Sequence, residues 1–198
     1  MNEPYHFFLS ISAKSIIDPM VPKCPFIPYH LKEISKWTQE PHITLLGFNT
    51  YEKPHEVQAS IAKQLLSCHI APLYITINGY RGGTAPGQMR CLLIDKEAKK
   101  ELLRLRKLLA HIVESHVVHK TTFKKYLNHL CPFFHIAVGR TMSPANLDTL
   151  ASSLRGRYIE VDSLDLEIRQ EHTVLDTTKI FIGMKEGEEP LYRLVYQT

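Results

Sequence analysis

Nowhere does this chain carry an apolar run long enough to cross a bilayer, so no membrane partner is expected. Its first residues pass straight into a strand-like segment, without the basic start and long apolar stretch of a secretory leader. Cysteine is sparse: Cys24, Cys68, Cys91 and Cys131 are widely spaced and form no C-x-x-C pair. That spacing argues against a dense disulfide framework or a zinc site and for free thiols in a reducing compartment. Charge of one sign is lacking too. With 24 basic against 20 acidic residues the net charge is +4, too mild for a protein that coats duplex nucleic acid but compatible with an anionic ligand. The glycine-rich residues 79–87 do not have the spacing of a Walker loop. What is present is 198 residues with an ordinary apolar fraction of 44%, enough for a self-supporting core in one domain or two small lobes. A soluble monomer in the cytoplasm or nucleus is the expectation.

Residues 5–12 (YHFFLSIS) form an aromatic and β-branched run that reads as a buried strand. A loop carrying Pro19, Pro22, Pro25 and Pro28 follows, then a short helix over 29–37. Residues 41–48 read as a second strand. Pro54 opens a helix to residue 68 in which Val57, Ile61 and Leu65 recur at helical spacing. Strands are expected at 73–78 and 89–94, with the turn-rich 79–87 between them. Over 96–116, Leu102, Leu105, Leu109, Ile112 and Val113 supply an apolar face, and Lys99, Lys100, Arg104, Arg106 and Lys107 a wet one. Residues 117–128 read as loop plus a short helix. A strand at 133–139, a helix at 146–154, a strand at 158–168 and a hairpin of 178–184 with 191–196, turned at 186–189, complete the chain. Such alternation is an α+β pattern with antiparallel pairing, the kind a duplicated β-α-β lobe produces.

Two of these strands echo one another. His42-Ile43-Thr44-Leu45 and His135-Ile136-Ala137-Val138 each place a histidine on a short apolar strand in the same phase. Side chains alternate with period two, so His42 and Thr44 share one face while Ile43 and Leu45 take the other; His135 and Ala137 share a face likewise. A lone histidine on a buried strand is ordinarily a hydrogen-bonded core residue. Two in matching contexts can meet across one cleft as an acid and a base. Cleaving a phosphodiester needs both, since the attacking oxygen loses a proton and the departing one gains one, and imidazole titrates near neutrality. A hydroxyl such as that of Thr44 would stabilise charge on the equatorial oxygens. The arrangement demands neither metal nor cofactor.

The runs Pro41-His42-Ile43-Thr44-Leu45-Leu46 and Phe134-His135-Ile136-Ala137-Val138-Gly139-Arg140 resemble the two His-x-Thr/Ser signatures of the 2H phosphoesterase superfamily, one per lobe. The first strand is similar as well, and the resemblance would cover most of the chain. It implies a bilobal fold of duplicated antiparallel sheets and helices over residues 1–198, with the active cleft between the lobes. It also implies a metal-independent phosphodiesterase acting on 2',3'-cyclic phosphates or 2'-5' linked RNA and oligonucleotides. His42, Thr44 and His135 would be catalytic, with His135 as base and His42 as acid. Arg140, at the distance from the histidine that the bacterial branch often shows, would contact phosphate. Ala137 departs from the pattern, which calls for Thr or Ser. Losing one such donor costs about 2–4 kcal/mol in the transition state unless Thr141, Arg140 or a backbone amide takes over.

Other candidates are less specific. Tyr5, Tyr80 and Phe48 are aromatic faces for stacking on a base at a cleft mouth. Arg81, beside the glycine-rich segment, is a candidate phosphate cap. His111, His116, His119 and His129 lack acidic or cysteine ligands at consistent spacing and read as a solvated helix end. Three readings stand: a phosphoesterase, a nucleotide- or RNA-binding module without turnover, favoured by Ala137, and a structural protein with coincidental histidines.

Overall fold

The computed structural model describes residues 3–12, 42–68, 70–82, 90–130, 134–139, 144–171 and 173–182. The expected proline-rich loop and helix before residue 41, the strand at 191–196 with its turn, and Arg140 and Thr141 lie outside them.

Thirteen described elements follow in chain order: β1 Tyr5–Ser12, β2 His42–Thr50, α1 Pro54–Ser67, β3 Leu73–Ile75, β4 Ile77–Arg81, β5 Arg90–Ile94, α2 Lys96–Val113, α3 Lys120–Leu130, β6 His135–Gly139, α4 Pro144–Leu154, β7 Ile159–Val161, β8 Ser163–Gln170 and β9 Thr173–Phe181. The fold is α+β. One sheet has the order β2-β1-β8-β9, a second the order β4-β5-β6, and β3 pairs with β7. Every pairing between named strands is antiparallel.

Alternation along β1 sends Phe7, Leu9 and Ile11 into the core and leaves His6, Phe8, Ser10 and Ser12 on the other face. In β8, Leu164, Leu166 and Ile168 are buried while Asp165, Glu167 and Arg169 stand beside Ser10, Phe8 and His6. Helices cover the apolar faces: α2 lies against β2, β3 and α1, and α4 against β4 and β5. Apolar side chains of both sheets, among them Leu45, Leu92, Ile136 and Leu166, join one continuous core with α2. α2 is capped by Asp95, whose carboxylate accepts from the backbone N–H of Glu97 (2.7 Å) and Ala98 (3.0 Å) and from the Thr76 hydroxyl.

Several expected boundaries shift. Residues 73–81 form two strands divided at Thr76, because Thr76 turns to meet Asp95; Gly79 and Arg81 belong to the second rather than to a loop. The helix at 120–130 is longer than expected and anchors on Phe123. The strand expected at 178–184 starts at Thr173 and pairs with β8, the chain reversing near Glu171 at positive φ (53°), while its expected partner at 191–196 lies outside the described residues. Arg106, assigned from the sequence to the wet face of α2, is buried at 2% exposure, because position 106 lies between Leu102 and Leu109 on the apolar stripe.

Candidate active site

One irregularity in β2 sets the geometry. Leu9 pairs with Leu46 and Ser10 with Thr44, so Leu45 is an extra residue, a β-bulge. Before the bulge, His42 and Thr44 stand opposite Ser12 and Ser10 on the open face of the sheet. Beyond it the phase changes. Leu45 and Leu46 are both fully buried, and Phe48 turns inward to stack on Phe7 with ring centroids 5.1 Å apart. The base-stacking role expected of Phe48 therefore fails at the cleft: at 4% exposure its ring is spent in the core. Tyr5 shares the phase of Phe7 and packs against the same core, away from the open face.

The open face around His42 is polar with one aromatic plate. The His42 ring meets Phe8 edge-on, centroids 5.4 Å apart at 84°. Over the Phe8 ring lies the Arg169 guanidinium, 5.8 Å from the centroid and paired with Glu167. Ser10, beside Thr44, is 7% exposed and flanked in β8 by Asp165. Phe8 was not singled out from the sequence. Its signal was its phase, two residues from Ser10 on the polar side of β1.

His135 opens β6 in the second sheet. Gly79, Leu93 and His135 form one cross-strand row, and Arg81, Cys91 and Ala137 the next row on that face. A bulge at Asn78 puts Gly79 and Arg81 in phase with His135, while Tyr80 pairs with Leu92 in the row that belongs to the opposite face, together with Ile136. Tyr80 is thereby removed from the candidates for stacking beside His135. β2 and β6 lie against each other, which brings the two histidine-bearing strands of separate sheets together.

Electrostatics register that meeting. The His135 imidazole is held below the ordinary histidine pKa, first by desolvation, then by repulsion from His42 and then from the Arg81 guanidinium. His42, His135 and Arg81 thus act within one electrostatic neighbourhood. In the same rows Cys91 is pushed up by burial, against a smaller opposing pull from Arg81, so its thiol keeps its proton.

A further side chain binds these strands from behind. Arg106 of α2 donates from Nε to the Leu45 carbonyl (2.6 Å), from Nη2 to the Thr44 carbonyl (3.0 Å) and from Nη1 to the Leu130 carbonyl (2.9 Å). Its guanidinium lies 3.8 Å from the centroid of Phe134, the residue before His135.

The histidines at the helix ends separate. His116 joins Glu52 (2.9 Å) to Ser60 (3.1 Å), whereas His119 lines a cavity of about 390 Å³ with His6, Gly47, Asn49 and Tyr126. That cavity sits at the far end of β2 from His42 and includes neither member of the pair. Among the described residues no group of three or more His, Cys, Asp or Glu converges to hold a metal ion, and no helix is long and apolar enough to cross a membrane.

No family model matches this chain, and no curated protein matches it by sequence. Solved structures do. E. coli LigT in its apo form superposes with a TM-score of 0.51 at 14% identity, covering 90% of this chain and 98% of LigT. Its complex with NADP+ gives 0.52 at 14%, covering 92% and 100%. TT0787 of Thermus thermophilus gives 0.51 at 15%, covering 90% and 100%. At these identities the likeness is one of fold, and it runs nearly the full length of each chain.

Proposed function

We propose that the chain is a 2H phosphoesterase, a metal-independent phosphodiesterase that opens a 2',3'-cyclic phosphate or cleaves a 2'-5' linkage in RNA or an oligonucleotide. The observation that carries this reading is that β2 and β6, which bear His42 and His135 from distant stretches of sequence, lie against each other; in keeping with this, the His135 imidazole is held below its ordinary pKa by desolvation first, and then by His42 and Arg81. The fold shared with E. coli LigT and TT0787 supports it, and LigT forms a complex with NADP+, so this architecture can hold a nucleotide.

In this mechanism neutral His135, kept unprotonated by desolvation and its cationic neighbours, takes a proton from water. The water oxygen bonds to phosphorus. As the bond from phosphorus to the ribose 3'-oxygen breaks, His42 delivers a proton to that oxygen, and a 2'-phosphate remains. Thr44 Oγ1 donates to an equatorial oxygen, and Arg81 neutralises charge on the phosphoryl group. Arg140 and Thr141, which follow His135 in the second motif, are assigned to phosphate contact by the sequence resemblance alone. The two lobes, each built round one sheet, form a single domain with the reaction in the cleft between them, and the protein acts as a soluble monomer in the cytoplasm or nucleus.

The binding module remains the second reading, favoured by Ala137, which offers no hydroxyl where the motif calls for one. Assays in EDTA against 2',3'-cyclic nucleotides and 2'-5' oligoadenylate, with His42→Ala and His135→Ala in parallel, decide between them. Turnover abolished by either substitution supports the enzyme. Binding without product in the wild type supports the module.

A further inference from the structure

We propose that Arg106 is a positioning residue whose guanidinium sets the placement of His42 relative to His135, an inference that rests on the two-histidine reading above. Its environment explains why an arginine occupies an apolar helix stripe. A guanidinium at 2% exposure is tolerated only when hydrogen bonds replace its water. Here the replacements are main-chain carbonyls that have reason to lack partners. Among the described residues β2 is the end strand of its sheet, and the bulge at Leu45 interrupts the ladder at the carbonyls of Thr44 and Leu45. Leu130 ends α3, where a helix leaves carbonyls unpaired and its dipole favours a cation.

Each contact is also a placement. The bonds to Thr44 and Leu45 fix β2 one turn of the pleat from His42, while the bond to Leu130 and the stacking on Phe134 fix the chain on either side of the entry to β6. One rigid planar group therefore joins the two motif segments. Lysine cannot substitute, since a single ammonium on a flexible stem does not present donors to carbonyls in three directions. Arg106 touches no reacting atom, and its effect passes through the strands it holds.

The test uses Arg106→Lys, which keeps charge and approximate size, and Arg106→Met. The first readout is the NMR titration of the His135 ring with and without His42→Ala. In the wild-type background, removing His42 raises the His135 pKa because a repelling neighbour is gone. In folded Arg106→Lys protein that response shrinks or vanishes, whereas a merely structural role leaves it intact in the folded molecules. The second readout is kinetic: kcat falls by about 100-fold with little change in KM, as expected for reacting groups displaced by roughly 1 Å. An unaltered titration response together with an unaltered kcat in folded Arg106→Lys overturns the inference. If Arg106→Met does not fold, Arg106→Lys alone decides. Should the wild type show coupled histidines without turnover on any substrate, the phosphoesterase reading fails, and the titration still decides the role of Arg106.

Discussion

Replacing Thr44 with Val removes one hydroxyl and little else, which makes it the sharpest probe of this site. The hydroxyl lies on the open face beside Ser10, in phase with His42. What ties β2 to α2 at this position is the Thr44 carbonyl, held by Arg106 Nη2 at 3.0 Å, and a valine retains that carbonyl. Valine is also a good strand residue on a half-buried surface. Stability should therefore change by less than about 1 kcal/mol, or under roughly 4 °C in Tm for a chain of this length. Catalysis should respond far more. Ala137 leaves the second motif without a hydroxyl, so Thr44 supplies the motif donor that remains. Removing one preorganised transition-state donor costs about 3–4 kcal/mol, a fall of about 10²–10³ in kcat. KM should hardly move, because the bond strengthens as charge develops on the phosphoryl oxygens. Steady-state kinetics in EDTA on 2',3'-cyclic nucleotides, with a thermal melt of the same preparation, measures both quantities. A folded Thr44→Val enzyme with kcat within about threefold of wild type would refute the assignment. A parallel Ser10→Ala control would show whether the neighbouring hydroxyl carries the role instead.

Other outcomes follow from the same geometry. The pH–rate profile should be bell-shaped, with its acidic limb below the ordinary histidine value of about 6.5, because His135 must be neutral to act as base and its pKa is depressed. Arg81→Gln removes one cationic neighbour and moves that limb to higher pH; desolvation, the larger cause, keeps it from returning fully, and a limb that stays put rejects the placement of Arg81. The same depression means the unfolded chain binds the His135 proton more tightly, so this contribution to stability is complete above the unfolded pKa and is lost as pH falls through the folded one. Ala137→Thr should raise kcat by at least about tenfold if the missing donor limits the rate; no gain in a folded variant means another group already fills that role. Asp95→Ala breaks the cap on α2 and its bond with Thr76, costing about 2 kcal/mol and roughly 4–8 °C in Tm, with Asp95→Asn recovering most of it in the same melt.

The α+β class, the strand identity of both motifs and the apolar stripe of α2 were legible because each is a periodicity written into consecutive residues. Alternation placed His42 and Thr44 on one face and Ile43 and Leu45 on the other, as the structure has them. What was not legible was any break in a period. Counting by twos from His42 puts Phe48 on the His42 face; the bulge at Leu45 reverses that, and only the pairing with β1 reveals it. Likewise the bulge at Asn78 decides that Arg81, and not Tyr80, belongs to the row beside His135. Registers of this kind depend on a partner strand that the local sequence does not name.

Arg106 shows the same limit from the opposite direction. Its charge, next in line to Arg104 and Lys107, assigns it to water, while its position, four residues after Leu102 and three before Leu109, assigns it to the core. Position prevails because the core at that point is not purely apolar: bulged β2 and the end of α3 present carbonyls there, and a hydrocarbon side chain would leave them unpaired. The bulge and the buried arginine are thus linked. Because Thr44 and Phe48 are an even number of residues apart, turning one toward a cleft and the other toward the core requires one residue between them to stand out of the ladder, and the carbonyls freed there need a donor from behind. Deleting Leu45 would therefore make β2 regular, leaving Thr44 and Phe48 on the faces they now hold while taking away an acceptor from Arg106.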